Sequence, residues 1–191
     1  MRGLGLFRDF IREITRLVDG QLGEAKLLTC ARPLMQELMR NDTWLPDRYA
    51  AANPDRYQQY LLHCDPLERF SVVSFVWGPG QETPIHDHTV WGLLGVLRGS
   101  EVSQRYVAGD GTMHPSGPLE ILESGATDMV SPMLGDIHKV QNGSRSAPSV
   151  SIHLYGGNIG ALHRHTFAQD GGVKTFRSGY SLDTMPNIWS V

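Results

Sequence analysis

From Phe70 onward the chain breaks into short β-rich runs punctuated by glycine and proline, a texture that no helical fold produces. Ser71 to Trp77, Trp91 to Leu97, Glu101 to Val107, Leu119 to Leu122, Asp136 to Gln141, Val150 to Tyr155 and His163 to Phe167 read as strands. Gly109-Asp110-Gly111 is a strong hairpin turn, and His114 just after it is expected on a surface loop. Many short strands with regular turns indicate an all-β core of jelly-roll or barrel type.

Residues 4 to 66 read as helical. Leu4, Phe7, Ile11, Ile14, Leu17 and Val18 recur at helical spacing, and Leu27, Leu28, Ala31, Leu34, Met35, Leu38 and Met39 repeat the pattern across Pro33. After turns at Asn41-Asp42 and Pro46-Asp47, a third helix is expected from near Pro54 through Leu62. At 191 residues the chain is long enough for one domain with a sizeable core. We therefore expect a single domain over 1–191, with 1–66 a mainly helical segment packed on a barrel formed by 67–191.

The charge balance is even, with 17 Lys and Arg against 20 Asp and Glu, which gives no basic field for nucleic acid. The apolar runs are far shorter than a membrane span, and no signal peptide is visible. Arg2, Arg8 and Arg12 are interleaved with Asp9 and Glu13, which argues against a transit peptide. Cys30 and Cys64 make no disulfide framework and read as reduced thiols in helix-like segments. A cytoplasmic location is the default expectation; the oligomeric state stays open.

The chemistry concentrates in three stretches. In Gly80 to Gly99, His86 and His88 lie two residues apart, so on a strand they share a face while Asp87 points the other way. Two imidazoles on one face can hold a metal ion; alone, the pair reads equally well as hydrogen-bonded core histidines. Pro132 to Asn142 supplies a third histidine, His138, again after a Pro/Gly turn. In Ser151-Ile152-His153-Leu154-Tyr155 the three polar residues share one strand face, and burying them together is costly unless they hydrogen-bond one another.

These stretches resemble the cupins, whose fold is the double-stranded β-helix. Gly80, His86, His88 and Gly99 fall at the spacings of the first cupin motif, with Gly92 where that motif has a glutamate. Gly135, His138 and Asn142 match the second, with Pro-x-x-Gly in place of Pro-x-Gly and Gly125 one residue farther upstream than the motif has it. Three histidines without the carboxylate, followed by Ser151, His153 and Tyr155, resemble the cysteine dioxygenase family of thiol dioxygenases. That resemblance implies Fe(II) held by His86, His88 and His138, and a relay in which Ser151 fixes His153 and His153 holds the Tyr155 hydroxyl beside the iron's ligands. It implies a small thiol and O2 as partners and a sulfinic acid as product.

Two departures resemble the bacterial glutamine-type members, which act on 3-mercaptopropionate and, variably, on L-cysteine. Mammalian members carry a substrate-pairing arginine where Tyr57 and the Trp77-Gly78-x-Gly80 run align Gln59. They also carry, shortly after the His-x-His, a cysteine crosslinked to the tyrosine, where this chain has Gly92. A glutamine cannot supply the charge or the bidentate fork of a guanidinium, so Arg164 is the expected replacement, against its reading as a surface arginine on a strand. The alternative of a different class is a non-oxidative metal-binding cupin, either an isomerase or a sensor or storage protein with Zn, Ni or Mn on the same histidines.

Overall fold

The computed structural model describes residues 4–182 and 184–189. Two helices, α1 (Leu4–Asp19) and α2 (Glu24–Leu38), and a short 3-10 turn at Asp47–Tyr49 precede eleven strands. The strands are β1 (Gln58–Cys64), β2 (Ser71–Trp77), β3 (Ile85–His86), β4 (Gly92–Arg98), β5 (Ser100–Gly109), β6 (Thr112–Glu123), β7 (Thr127–Val130), β8 (His138–Asn142), β9 (Ser149–Tyr155), β10 (Arg164–Phe167) and β11 (Val173–Phe176). They form two antiparallel sheets, one ordered β1-β2-β9-β4-β7 and the other β11-β10-β3-β8-β5-β6. Two facing antiparallel sheets wound in this way make the cupin double-stranded β-helix.

The first sheet is covered on both faces, and every residue of β2 and β9 is buried. Val72 and Val76 of β2 and Ile152 and Leu154 of β9 face outward and join Phe7, Ile14, Leu28 and Met35 of the helices in one core. Val73, Phe75 and Trp77 point inward and meet Val140 and Tyr155 in a second core inside the barrel. The helices thus lie against the outer face of the sheet. They approach closely enough that a Cβ on Gly95 of β4 would stand 2.8 Å from Met39 Cγ. The helix α2 runs through Pro33 without a break; burial of Met35 and Leu38 offsets the hydrogen bond that proline removes.

The expected third helix is not formed. Residues 58–64 are instead β1, paired antiparallel with β2 from Gln58↔Val76 to Cys64↔Ser71. The run Tyr57-Gln58-Gln59-Tyr60-Leu61-Leu62 carries apolar residues at both three-residue and two-residue spacing, and the open edge of β2 selects the second. Tyr60 and Leu62 face the helices, and Tyr57 and Leu61 face the barrel. The mainly helical segment therefore ends well before residue 66, and Cys64 lies at the end of a strand.

The Asp110-Gly111 turn joins β5 and β6 with both residues at positive φ, 50° and 76°, the two-residue hairpin geometry expected of that dipeptide. His114 lies on β6, not in a loop, and its Nε2 meets Thr112 Oγ1 at 2.8 Å. The strands β3, β7 and β11, each of four residues or fewer, have no counterpart among the strands read from the sequence. Among the described residues no helix is long and apolar enough to cross a membrane.

Candidate metal centre and relay

His86 on β3 pairs directly with His138 on β8, and the turn after β3 brings His88 to the same inward face. One ring nitrogen of each lies within 4.8 Å of the other two, and all three residues are buried. Asp87, on the opposite face, accepts hydrogen bonds from the backbone N–H and Nδ1 of His165.

Each imidazole is held by its Nδ1. His88 Nδ1 meets Asp136 Oδ1 at 2.8 Å, His86 Nδ1 meets the Pro84 carbonyl at 3.1 Å, and His138 Nδ1 meets Ser103 Oγ at 3.4 Å. With Nδ1 acting as donor in each ring, the lone pair stands on Nε2 and is available to a metal. Burial, reinforced by the neighbouring His88, lowers the His86 pKa to about 3, and burial lowers that of His138 as well. Both are therefore neutral near pH 7, the form that ligates.

Asp136 does more than orient one ring. Its carboxylate also accepts the backbone N–H groups of His88 and Thr89, at 2.9 and 2.8 Å. Burial pulls its pKa up, but these bonds outweigh burial and leave it below the ordinary value. Gly135, at φ 113°, turns the chain just before it, a conformation a residue with a Cβ rarely takes.

The polar face of β9 forms the expected chain. Ser151 Oγ meets His153 Nε2 at 2.8 Å, and His153 Nδ1 meets Tyr155 Oη at 2.8 Å. Phe75 stacks on His153 at 4.2 Å, and the Tyr155 ring stacks on His88 at 5.3 Å, which joins the relay to the triad. Burial holds His153 neutral and pushes the Tyr155 phenol far above its ordinary value.

A cavity of about 300 Å³ connects these groups. His86, His88, His138, His153, Tyr155, Gln59 and Arg164 all line it, together with Tyr57 and Phe176. Ser151 sits one step behind, against His153. Arg164 is no surface residue: it is 3% exposed, and burial lowers its pKa. Its Nη2 donates to Ser178 Oγ at 2.7 Å, its Cζ lies 4.7 Å from the Phe176 ring centroid, and its Nε has no partner. No carboxylate forms an ion pair with it among the described residues. Gln59 likewise leaves a buried Oε1 unpartnered.

The model of the family described as cysteine dioxygenase type I matches residues 7–167. The chain belongs to the cysteine dioxygenase type I family. It is 26% identical to the cysteine dioxygenase type 1 of Bos taurus over 142 residues, covering 71% of this chain and 70% of that one. The Homo sapiens protein of the same name is 28% identical over 150 residues, covering 74% and 72%, and that of Danio rerio is 29% identical over 128, covering 64% and 61%. Similar solved structures include a conserved protein with a double-stranded β-helix domain from Klebsiella pneumoniae. It has a TM-score of 0.46 and 20% identity over 59% of this chain and 82% of that chain.

Membership in the cysteine dioxygenase family implies a small thiol and O2 as reactants, and the three-histidine cluster is compatible with metal binding. Within this dioxygenase fold the position held by Gly92 has no room for a carboxylate ligand. A Cβ there would lie 2.9 Å from Val130 Cγ2 and 3.0 Å from Tyr155 Cδ1. Sequence reasoning missed Asp136, Ser103, Tyr57 and Phe176 as parts of the site. Asp136 alone carried a signal, an acidic residue two positions before a motif histidine.

Proposed function

We propose that the protein is a non-haem Fe(II) thiol dioxygenase that adds both atoms of O2 to the sulfur of 3-mercaptopropionate in preference to L-cysteine, giving a sulfinic acid. Three imidazoles with engaged Nδ1 atoms fit a borderline divalent ion, and His86, His88 and His138 would hold it. Iron bound there would supply open coordination positions at which the thiol sulfur, the source of the electrons, and dioxygen could meet.

The chain's own residues do the rest. Arg164, buried and without an acid partner, takes the substrate carboxylate, and the fixed fork of its guanidinium sets the acid's orientation. The Gln59 carboxamide, which lines the cavity, adds a neutral donor. Tyr155, fixed by His153 and Ser151, keeps its hydroxyl directed where the sulfur reacts. Phe75, Trp77 and Phe176 keep the cavity apolar, which strengthens each of these contacts.

The observation that carries the substrate choice is the cavity's charge inventory: among the described residues its lining holds one permanent cation, Arg164, and no carboxylate. A mercapto-acid finds its partner there, whereas the ammonium of L-cysteine finds none and is expensive to bury. Steady-state oxygen uptake with the two thiols tests this. We expect kcat/KM for 3-mercaptopropionate to exceed that for cysteine by more than about tenfold, which needs only ~1.4 kcal/mol. Arg164→Met should lower kcat/KM for 3-mercaptopropionate by on the order of 1.5–3 kcal/mol, mainly through KM. A wild-type preference for cysteine contradicts the substrate assignment.

A further inference from the structure

The relay on β9 does not stop at Ser151. Glu101, on β5 directly opposite Asn142 of β8, is 1% exposed, and no salt bridge reaches it among the described residues. The hydrogen-bonding groups that face its carboxyl are the Ser151 hydroxyl and the Trp77 indole N–H. Trp77 Nε1 also lies 3.4 Å from Ser151 Oγ, so the three groups form one cluster at the inner end of the relay. Glu101 Oε1 has no partner. Asn142 does not supply one, since its Nδ2 donates to the carbonyls of Trp77, Gly78 and Ala147 and its Oδ1 accepts from Ser144. A buried carboxyl with an unpartnered oxygen, pressed against the last hydroxyl of a hydrogen-bonded chain, is an unusual thing to leave without a role.

We propose that Glu101 is the inner terminus of the relay, and that its protonation state sets the direction of the Ser151–His153–Tyr155 hydrogen bonds and so whether Tyr155 offers the cavity a lone pair or an O–H. Every intervening group donates once and accepts once, so the chain has two consistent arrangements. With Glu101 ionised, Ser151 donates to the carboxylate, His153 Nε2–H donates to Ser151, and the Tyr155 O–H donates to His153 Nδ1. The Tyr155 oxygen then faces the cavity as an acceptor. With Glu101 protonated, its O–H donates to Ser151, Ser151 donates to His153 Nε2, and His153 Nδ1–H donates to Tyr155. The Tyr155 O–H is then free to donate into the cavity.

The two arrangements differ by one proton. Taken up at the Tyr155 oxygen, it displaces the Tyr155 proton to His153 Nδ1, the Nε2 proton to Ser151 Oγ, and the Ser151 proton to Glu101. Each intervening group ends neutral, with one bond to hydrogen formed and one broken. Under the thiol dioxygenase reading, on which this one step rests, the proton comes from the substrate S–H and is stored as Glu101 O–H when the thiol becomes a thiolate.

The carboxyl is suited to both states. Burial pushes its pKa up to about 7, with Ser151 and Trp77 drawing it part of the way back. The faces turned toward it from β2, β8 and β9 carry Trp77, Asn142 and Ser151, and the titratable groups farther along the relay, His153 and Tyr155, are both neutral at that pH.

Infrared difference spectroscopy of the metal-free protein across this pH range tests the proposal without turnover. In the wild type a protonated-carboxyl C=O band should grow in as pH falls through about 7, and the Tyr155 C–O band, identified by its loss in Tyr155→Phe, should shift with it. Glu101→Gln should lose the carboxyl band and hold the tyrosine band at one position at every pH. Ser151→Ala, which cuts the chain, should keep the carboxyl titration and abolish the tyrosine shift. A wild-type tyrosine band indifferent to the carboxyl titration, or one that still shifts in Glu101→Gln or Ser151→Ala, overturns the proposal. Oxygen uptake separates the two readings: a wild type that oxidises no thiol sinks the dioxygenase reading and leaves the infrared result to decide the role of Glu101.

Discussion

At the scale of single residues, strand parity carries most of the site. Two-residue spacing puts Ser151, His153 and Tyr155 in line, because alternate side chains of a strand share a face, whereas His88 lies past the end of β3 and comes beside His86 through the turn that follows it. Removing only the Tyr155 hydroxyl should therefore leave folding and metal content unchanged while slowing turnover. A directed donor of this kind carries about 2.7–4 kcal/mol where charge develops fully. We expect on the order of 1–3 kcal/mol for Tyr155→Phe, since a bound metal takes most of that charge. Parallel measurement of kcat/KM and iron content checks it, and an unchanged kcat/KM removes Tyr155 from the mechanism. What could not be read locally is the set of groups holding these residues from behind. Ser103 reaches His138 across the β5–β8 pairing, and Glu101 reaches Ser151 of the other sheet, so the first contact waits on strand pairing and the second on the two sheets closing together.

At the scale of elements, the misread one is instructive. The sequence from Tyr57 to Leu62 satisfies a helical period, and the competing strand is chosen by a partner, β2, whose edge would otherwise lie open. That choice brings Gln59 and Tyr57 to the cavity wall, so the position aligned with the family's substrate arginine reaches the site by pairing, not by local propensity. The turn before β8 is the other decisive element. Asp136 ties it to the His88–Thr89 backbone and to the His88 ring at once. Asp136→Ala should free that ring and weaken metal binding by roughly 10–100-fold, the usual cost of losing a carboxylate behind a histidine ligand. Competition of the variant and wild type for iron against a chelator measures it. Equal retention would show that the remaining contacts orient His88 unaided.

At the scale of the molecule, burial of so many imidazoles makes the metal-free protein sensitive to acid. The pKa values of His86, His138 and His153 are all lowered by burial, that of His86 from 6.5 to about 3, so below pH 6.5 the unfolded chain binds protons that the folded one refuses. Stability then rises with pH across this window and falls as the pH drops from 6.5 toward 3. Glu101 acts in the opposite sense: its pKa, raised from 4.5 to about 7, makes the folded state bind the extra proton and costs stability as pH rises between those values. Three imidazoles outweigh one carboxyl, so urea midpoints of the metal-free protein should be lower at pH 5.5 than at pH 7.5; equal or reversed midpoints would show that the imidazoles are not buried as neutral groups. The central claim, that this cavity joins O2 to the sulfur of a small mercapto-acid, is tested most directly by stoichiometry. The protein is loaded with Fe(II) under anaerobic conditions, supplied with 3-mercaptopropionate, and exposed to a measured amount of oxygen. We predict oxygen consumption equimolar with sulfinate formed, both oxygen atoms of the product carrying the label from 18O2. Oxygen uptake without sulfinate, or no uptake at all from fully iron-loaded protein, would contradict it.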